Sequence, residues 1–230
     1  MAEKNEITLV ADTSGDPLKM ALAVPGVKIL FRQGSGRRQE ELLLKYLDSM
    51  LAVSRLKLED IGRVVVVRGP GRFTGIRIGL TLASVLKKLS GARACGVTVF
   101  EALAFQLMGE KCWRQWLSKN PGGRLAIVVH AFRDEYFAAV FKPGFRQDGP
   151  EGWFSRPQLL DFLRREKKRS PLLCAGSADK GAPLSTVLDE GEFELAPHRK
   201  SILSASTLIK MKGRASLEPL YLKPAKYELL

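Results

Sequence analysis

The chain has 230 residues, 45% of them hydrophobic, enough to bury a sizeable core as one larger domain or two small ones. Its 37 Lys/Arg against 24 Asp/Glu leave a formal charge of +13, which favours an anionic partner. No apolar run approaches the ~18–20 residues of a membrane span, the three cysteines form no C-x-x-C pair, and residues 1–6 are charged where a signal segment is apolar, so a reduced, cytoplasmic protein away from membranes is expected.

Residues 7–11 read as a strand that ends at the turn cluster Asp12-Thr13-Ser14-Gly15-Asp16-Pro17. Two further strands, 18–24 and 27–31, are parted by Pro25-Gly26. A helix is expected over 39–53, with Leu42, Leu43, Leu44, Tyr46, Leu47, Met50 and Leu51 apolar. The β-branched run at 64–67 reads as a buried strand and Gly69-Pro70-Gly71 as a tight turn after it, with Thr74 placed to cap a helix opening at Gly75. On that helix Ile78, Gly79, Leu82, Val85, Leu86 and Leu89 cluster. Ile76, Leu80 and Ala83 widen the apolar arc to roughly 220°, where a surface helix needs little more than ~100°. A helix this apolar lies deep in its own domain or buries a second face against a partner, and the 39–53 helix shows the same excess.

Further along, 95–99 reads as a strand and 100–108 as a helix. A Trp-rich, Gly/Pro-punctuated stretch at 112–123 places a domain boundary near 108. A hairpin is expected from 125–129 and 135–141, a helix over 158–169, a strand at 171–175 and a helix over 204–212 stopped by Gly213. Strands first, then strands alternating with helices, fit an α/β or mixed-sheet architecture.

Two places invite an anion. A Gly-rich turn between strand and helix gathers backbone N–H groups, so phosphate is the first reading of Gly69, Gly71 and Gly75, with Arg72 adding a cation. Their G-x-G-x-x-x-G spacing is one residue longer than a dinucleotide fingerprint, and no Lys-Ser/Thr pair follows as a P-loop requires. The same glycines also serve a turn for backbone reasons alone. Asp12, Thr13 and Ser14 offer a carboxylate for Mg²⁺ and hydroxyls for phosphate, and are equally ordinary turn residues. Arg164, Arg165, Lys167 and Lys168 end a helix, where cations suit the macrodipole; they are candidate nucleic-acid contacts, though the run itself contains no aromatic platform. His130 and His198 lie too far apart in sequence to support a metal site, and no G-x-S-x-G elbow occurs.

The run Gly69-Pro70-Gly71-Arg72-Phe73-Thr74-Gly75-Ile76-Arg77-Ile78-Gly79 resembles the signature of the bacterial TsaB (YeaZ) family, G-P-G-S-F-T-G-[LIV]-R-[IV]-G, and departs from it only at Arg72. Leu9-Val10-Ala11-Asp12-Thr13-Ser14 is similar to that family's opening strand and turn. Val97-Thr98-Val99-Phe100-Glu101-Ala102-Leu103-Ala104, with Gly96 in front, is similar to its G-V-[ST]-S-L-E-A-L-A segment, and Glu218-Pro219-Leu220-Tyr221-Leu222-Lys223 to its closing P-x-Y-L-R. The likeness is strong over about the first hundred residues and thinner beyond. Two departures stand out. Gln39 occupies the place of a family histidine and does not titrate near neutrality. The hairpin His130-Ala131-Phe132-Arg133-Asp134-Glu135-Tyr136-Phe137 keeps only Ala131 and Glu135 of D-A-R-x-x-E-x-Y.

The resemblance implies an actin-like ATPase (ASKHA) fold of the α/β class: two subdomains with mixed sheets, 1–108 and 109–230, the 204–212 helix packing back on the first. It implies a non-catalytic subunit of the complex that makes threonylcarbamoyladenosine next to the tRNA anticodon, supporting a TsaD-like catalytic paralogue through a helical interface. Leu43, Leu47 and Met50 on the first long helix, with Ile78, Leu82, Val85, Leu86 and Leu89 on the second, would form that interface. The same helices would also serve a homodimer. A TsaE-like ATPase would dock on the heterodimer, so ATP and Mg²⁺ would belong to the assembly, tRNA would be met through it, and this chain would hold no tight cofactor or metal. Asp12, Thr13, Ser14, Gly69, Gly71, Arg72, Thr74 and Gly75 would be a vestigial nucleotide or phosphate site. The H-x-x-x-H of the catalytic paralogue is absent. Two rival readings are a stand-alone nucleotide-dependent transferase or glycoprotease-like peptidase built on Asp12, Thr13 and the Gly69–Gly75 turn, and a direct tRNA-binding module using the basic run at 164–168.

Overall fold

The computed structural model describes residues 6–27, 29–36 and 38–223, without the side chain of Lys180. Residues 1–5, Lys28 of the expected third strand and Arg37 before the first helix lie outside the described residues. The chain divides into two compact units, the first holding the described residues up to Val99 with Ser204–Tyr221, the second Phe100–Leu203 with Leu222 and Lys223. The division falls after Val99, where the sequence places it near 108.

In the first unit β1 (Thr8–Asp12), β2 (Leu18–Ala23), β3 (Leu30–Gly34), β4 (Arg63–Val67) and β5 (Arg93–Val97) form a sheet in the order β3-β2-β1-β4-β5. β1 and β2 pair antiparallel, as do β2 and β3, while β1, β4 and β5 run parallel. A central parallel strand is covered on both faces and so reads as an unbroken apolar run; Val64 to Val67 are all fully buried. β3 begins three residues later than expected. Val27 closes a turn on the Val24 carbonyl and stands 67% exposed, and the ladder pairs Leu22 with Leu30. Helices α1 (Gln39–Ser54) and α2 (Phe73–Leu89) cover the sheet. Leu43, Leu47 and Met50 from α1 and Ile76, Leu82 and Leu86 from α2 enter one core with Leu9, Met20 and Val64. Glu40 and Glu41 in the first turn of α1 complement its dipole, and Arg55 ends it in the left-handed conformation.

Helix α3 (Val99–Met108) leads from the division into the second unit, and α4 (Lys111–Lys119) follows. The second of these lies in the stretch read as a boundary. Gly and Pro follow it at 121–123, but Lys111–Lys119 contains neither, and buried Trp113 stacks on Trp116 at 5.4 Å. Then come β6 (Arg124–Phe132), β7 (Glu135–Lys142), β8 (Arg146–Gln147), β9 (Gly152–Ser155), α5 (Arg156–Arg169), β10 (Leu172–Ser177) and β11 (Glu194–Leu195). The sheet order is β11-β10-β6-β7-β8, with β9 also on β7. Here β6 is central, antiparallel to β7 and parallel to β10, as β1 is to β2 and β4 in the first unit. Ser155 and Gln158 form a capping box at the start of α5, with Pro157 in its first turn. Helix α6 (Ala205–Lys210) returns to the first unit against β1 and β2. Arg63 donates to the carbonyls of Ile209 and Met211 and so satisfies the end of α6.

Arg124 opens β6 with its guanidinium buried. Nε donates to Ser170 Oγ at 2.7 Å, Nη1 to Asp148 at 2.8 Å and Glu166 at 2.5 Å, and Nη2 to the Glu166 carbonyl at 2.5 Å. Hydrogen bonds from Lys142, then Arg124, hold the Asp148 carboxyl below its ordinary range, against the opposing effect of burial. A depressed folded-state pKa stabilises above the unfolded value and is lost as pH falls through it, so unfolding free energy in urea should decline as pH drops below about 4. Arg124→Met leaves two half-buried carboxylates short of a partner; Lys142 and Arg169 still face them. An expected loss of about 3 kcal/mol sits at the low end for breaking a buried ion pair.

Candidate functional site

The Gly-rich turn is built by backbone packing. After β4, the Val99 N–H donates to the Gly69 carbonyl and the Leu220 N–H to the Arg68 carbonyl, both at 2.8 Å. Arg72 is extended; its N–H donates to the Ser14 carbonyl at 2.7 Å, and its own carbonyl accepts the Ile76 N–H at 2.9 Å, the first helical bond of α2. The helix therefore starts at Phe73, two residues before the expected position. Thr74 lies inside it and does not cap it, and Arg72 at the cap position makes no side-chain cap bond. A Cβ on Gly75 would overlap the Thr13 carbonyl oxygen, and one on Gly79 would come within 2.5 Å of Thr13 Oγ1. Only glycine lets the first turns of α2 lie this close to the Asp12-Thr13-Ser14 turn.

The same packing engages part of the expected phosphate site. Asp12 Oδ1 accepts from the Ser14 N–H at 3.1 Å and the Ser14 hydroxyl at 2.6 Å, so carboxylate and turn amide are spent on each other. Thr13 Oγ1 is fully buried against Gly79 without a hydrogen-bond partner among the described residues. Gln39, also buried, donates through Nε2 to the Gly15 carbonyl at 2.9 Å and braces the turn from α1. A phosphate cradle needs open space lined by amides that still seek an acceptor. Here Asp12, Thr13, Ser14, Gly71, Gly75 and Arg72 meet as a closed joint. Among the described residues no group of three His, Cys, Asp or Glu could hold a metal ion. The Arg72 side chain is exposed.

The expected interface residues separate into three groups. Leu47, Met50 and Leu86 lie wholly in the first unit's own core and cannot meet a partner. Leu43 and Leu82, 3% and 8% exposed, form the floor of an apolar groove of about 420 Å³. Ile78 and Val85 line its wall, while Leu89 stands exposed beyond it. Periodicity centres the interface on the middle of each apolar arc. That middle is the most apolar part and goes to the protein's own sheet, so only the arc's flank is left outward.

The groove's other walls are Leu44 from α1 and Phe73 from the first turn of α2, 56% and 55% exposed. The sequence pattern does not single out Leu44 and Phe73 for an interface, although each borders an apolar arc. Glu40, Thr74, Arg77 and Thr81 make a polar rim. Phe73 is held by Tyr221, ring centroids 4.9 Å apart, with the Arg77 guanidinium 5.3 Å from its ring centre. A contiguous apolar surface with a polar rim is the anatomy of a protein–protein contact.

In the second unit the basic run divides. Arg164 grips Glu192 through Nε at 2.6 Å and Nη2 at 3.0 Å, and Lys167 donates to the Glu192 carbonyl. Arg165 and Lys168 are exposed, with no ion pair among the described residues. His130 Nε2 meets the Arg133 carbonyl at 2.7 Å within its hairpin, a structural bond.

A family model described as TsaD, tRNA N6-adenosine threonylcarbamoyltransferase, matches residues 33–143. The chain is 34% identical over 145 residues to the tRNA threonylcarbamoyladenosine biosynthesis protein TsaB of Haemophilus influenzae, covering 63% of this chain and 58% of that one. It is 27% identical to the Escherichia coli protein of the same name over 94% of each. These matches point to the TsaB/YeaZ family. The match spans little more than half of the H. influenzae protein and 56% of the Buchnera aphidicola one, and nearly all of the E. coli one. A Pseudomonas aeruginosa crystal structure described as similar to peptidase YeaZ superposes with a TM-score of 0.68 at 20% identity, covering 95% of this chain and all of that one. A Bacteroides thetaiotaomicron protein with an actin-like ATPase fold gives 0.50 at 10% identity, over 92% of this chain and all of that one. The fold is the actin-like ATPase fold, two mixed α/β sheets. No helix among the described residues is long and apolar enough to cross a membrane.

Proposed function

We propose that this chain is a non-catalytic subunit of the machinery that makes threonylcarbamoyladenosine in tRNA, and that it works by docking the α1/α2 groove onto a TsaD-like catalytic paralogue. The observation that carries this reading is the groove itself: Leu44, Phe73 and Val85 stand outward, beside half-buried Ile78, on two helices whose inner faces already fill their own core. The joint between the Asp12-Thr13-Ser14 turn and α2 supports the non-catalytic half: Asp12 Oδ1 is taken up by Ser14, and the first turns of α2 lie against Thr13. ATP and Mg²⁺ then belong to the assembly, through a TsaE-like ATPase, and tRNA reaches the chain within that assembly in the cytoplasm. The stand-alone transferase or peptidase reading finds no support in this geometry.

Co-expression with the TsaD-like protein of the same organism should yield a stable heterodimer. Calorimetry of the isolated chain with ATP and Mg²⁺ should show no micromolar binding. A chain that never co-purifies with that protein, or that binds nucleotide tightly in an Asp12-dependent way, would overturn the proposal. A homodimer in isolation, dissolving when the paralogue is added, is consistent with one surface serving both.

A further inference from the structure

The second unit carries a surplus of positive charge that neither its core nor the proposed subunit contact uses. Helix α5 ends between two grooves. One, of about 630 Å³, is lined by Trp153 and Phe154 from β9 and by Arg164, Arg165 and Lys168 from α5, with Asp161. The other, of about 460 Å³, is lined by Arg124, Lys142, Arg146 and Arg169, with Asp148. Cations in the last turn of a helix are ordinary partners of its dipole. Lys142 and Arg146 come from other strands, so the concentration is a property of the fold.

Ion pairing leaves a remainder. Asp148 and Glu166 engage Arg124, Lys142 and Arg169; Asp161 and Glu192 engage Arg164. Arg146, Arg165 and Lys168 are exposed and have no ion pair among the described residues. The platform missing from the basic run is supplied by β9. Trp153 donates through Nε1 to Glu135 at 3.3 Å, with the Lys223 ammonium 5.2 Å from its ring centre, so the indole is held in place. Phe154 is backed by Phe162, ring centroids 4.8 Å apart.

We propose that this face of the second unit, from Trp153 across the end of α5 to Arg146, binds a single-stranded stretch of RNA. Trp153 takes a base by stacking while Arg165, Lys168 and Arg146 neutralise phosphates. Unpaired cations beside a fixed aromatic ring suit a strand that presents bases and phosphates together; an acidic protein surface would use the charges and leave the ring idle. The proposal rests on the tRNA-modification reading only for its probe, an unmodified tRNA transcript.

The test is fluorescence anisotropy of labelled tRNA with the full-length chain across a range of salt concentrations. Arg146→Glu/Arg165→Glu/Lys168→Glu together should weaken binding at least tenfold and shrink the slope of log affinity against log salt by roughly 2 to 3, about 0.7–0.9 for each phosphate that is no longer neutralised. Trp153→Ala should weaken binding about fivefold or more with the slope unchanged, the signature of stacking removed without charge. Leu44→Asp should bind tRNA as the unaltered chain does, so failure of the subunit contact and failure of this site remain distinguishable. A triple variant within twofold of the unaltered chain overturns the proposal. So does polyglutamate competing as well as tRNA at matched charge, which would assign the face to an acidic protein.

Discussion

Leu44→Asp is expected to raise the dissociation constant for the TsaD-like paralogue by roughly 100-fold or more while leaving the fold intact. The side chain is 56% exposed and stands on the groove wall, so a carboxylate there costs little in the free chain. At the centre of a desolvated contact the same carboxylate is unpaired, a penalty of roughly 3 kcal/mol, which is about two powers of ten in affinity. Val85→Asp, 41% exposed on the facing wall, should behave alike. Leu82→Asp is a poor probe: at 8% exposure it puts the charge into the core, and a failure to associate would only report unfolding. Titration calorimetry alongside thermal melts separates the outcomes. Unchanged affinity in both Leu44→Asp and Val85→Asp would remove the groove as the docking surface.

Gly75→Ala should cost about 3 kcal/mol or more and lower the melting temperature by roughly 6–12 °C. A single added methyl is normally slight, but here its position coincides with the Thr13 carbonyl oxygen, a backbone atom held between β1 and the Asp12–Ser14 turn. The start of α2 must lift, which also moves Phe73 and Ile78, so partner affinity should fall with stability. Gly36→Ala is the control, since a Cβ there meets nothing within 4 Å, and its effect should stay within about 0.5 kcal/mol. A Gly75→Ala chain that melts with the unaltered one would show that α2 is not seated on Thr13 as described.

Much of the fold was legible because it rests on local chemistry. The Val64–Val67 run could only be a covered strand, and α1 and α5 follow from their spacing, although α5 starts at Arg156, two residues before the expected position. Local signals misled where a distant contact took over. Thr74 has the chemistry of a cap, yet the Ser14 carbonyl, supplied from 58 positions earlier, holds Arg72 extended and starts the helix at Phe73. The likeness of the two sheets left no long repeat in the sequence, since strand order is set by which edges pair rather than by shared residues.

The sequence by itself determined the family signature, the α/β class, the excess of apolar surface on α1 and α2, and the excess of positive charge. Those are properties of residue type and spacing. Only the tertiary structure decided how each excess is used. Periodicity gives the width of an apolar arc but not its bearing, so it could not tell that Leu47, Met50 and Leu86 turn inward while Leu44, Phe73 and Val85 face outward. Nor could spacing tell a phosphate cradle from a closed joint, because the atoms that fill the space beside Gly75 and Gly79 belong to Thr13, more than sixty residues away along the chain. The charges followed the same rule: Glu192 takes Arg164, and the fold brings Trp153 beside the cations that remain.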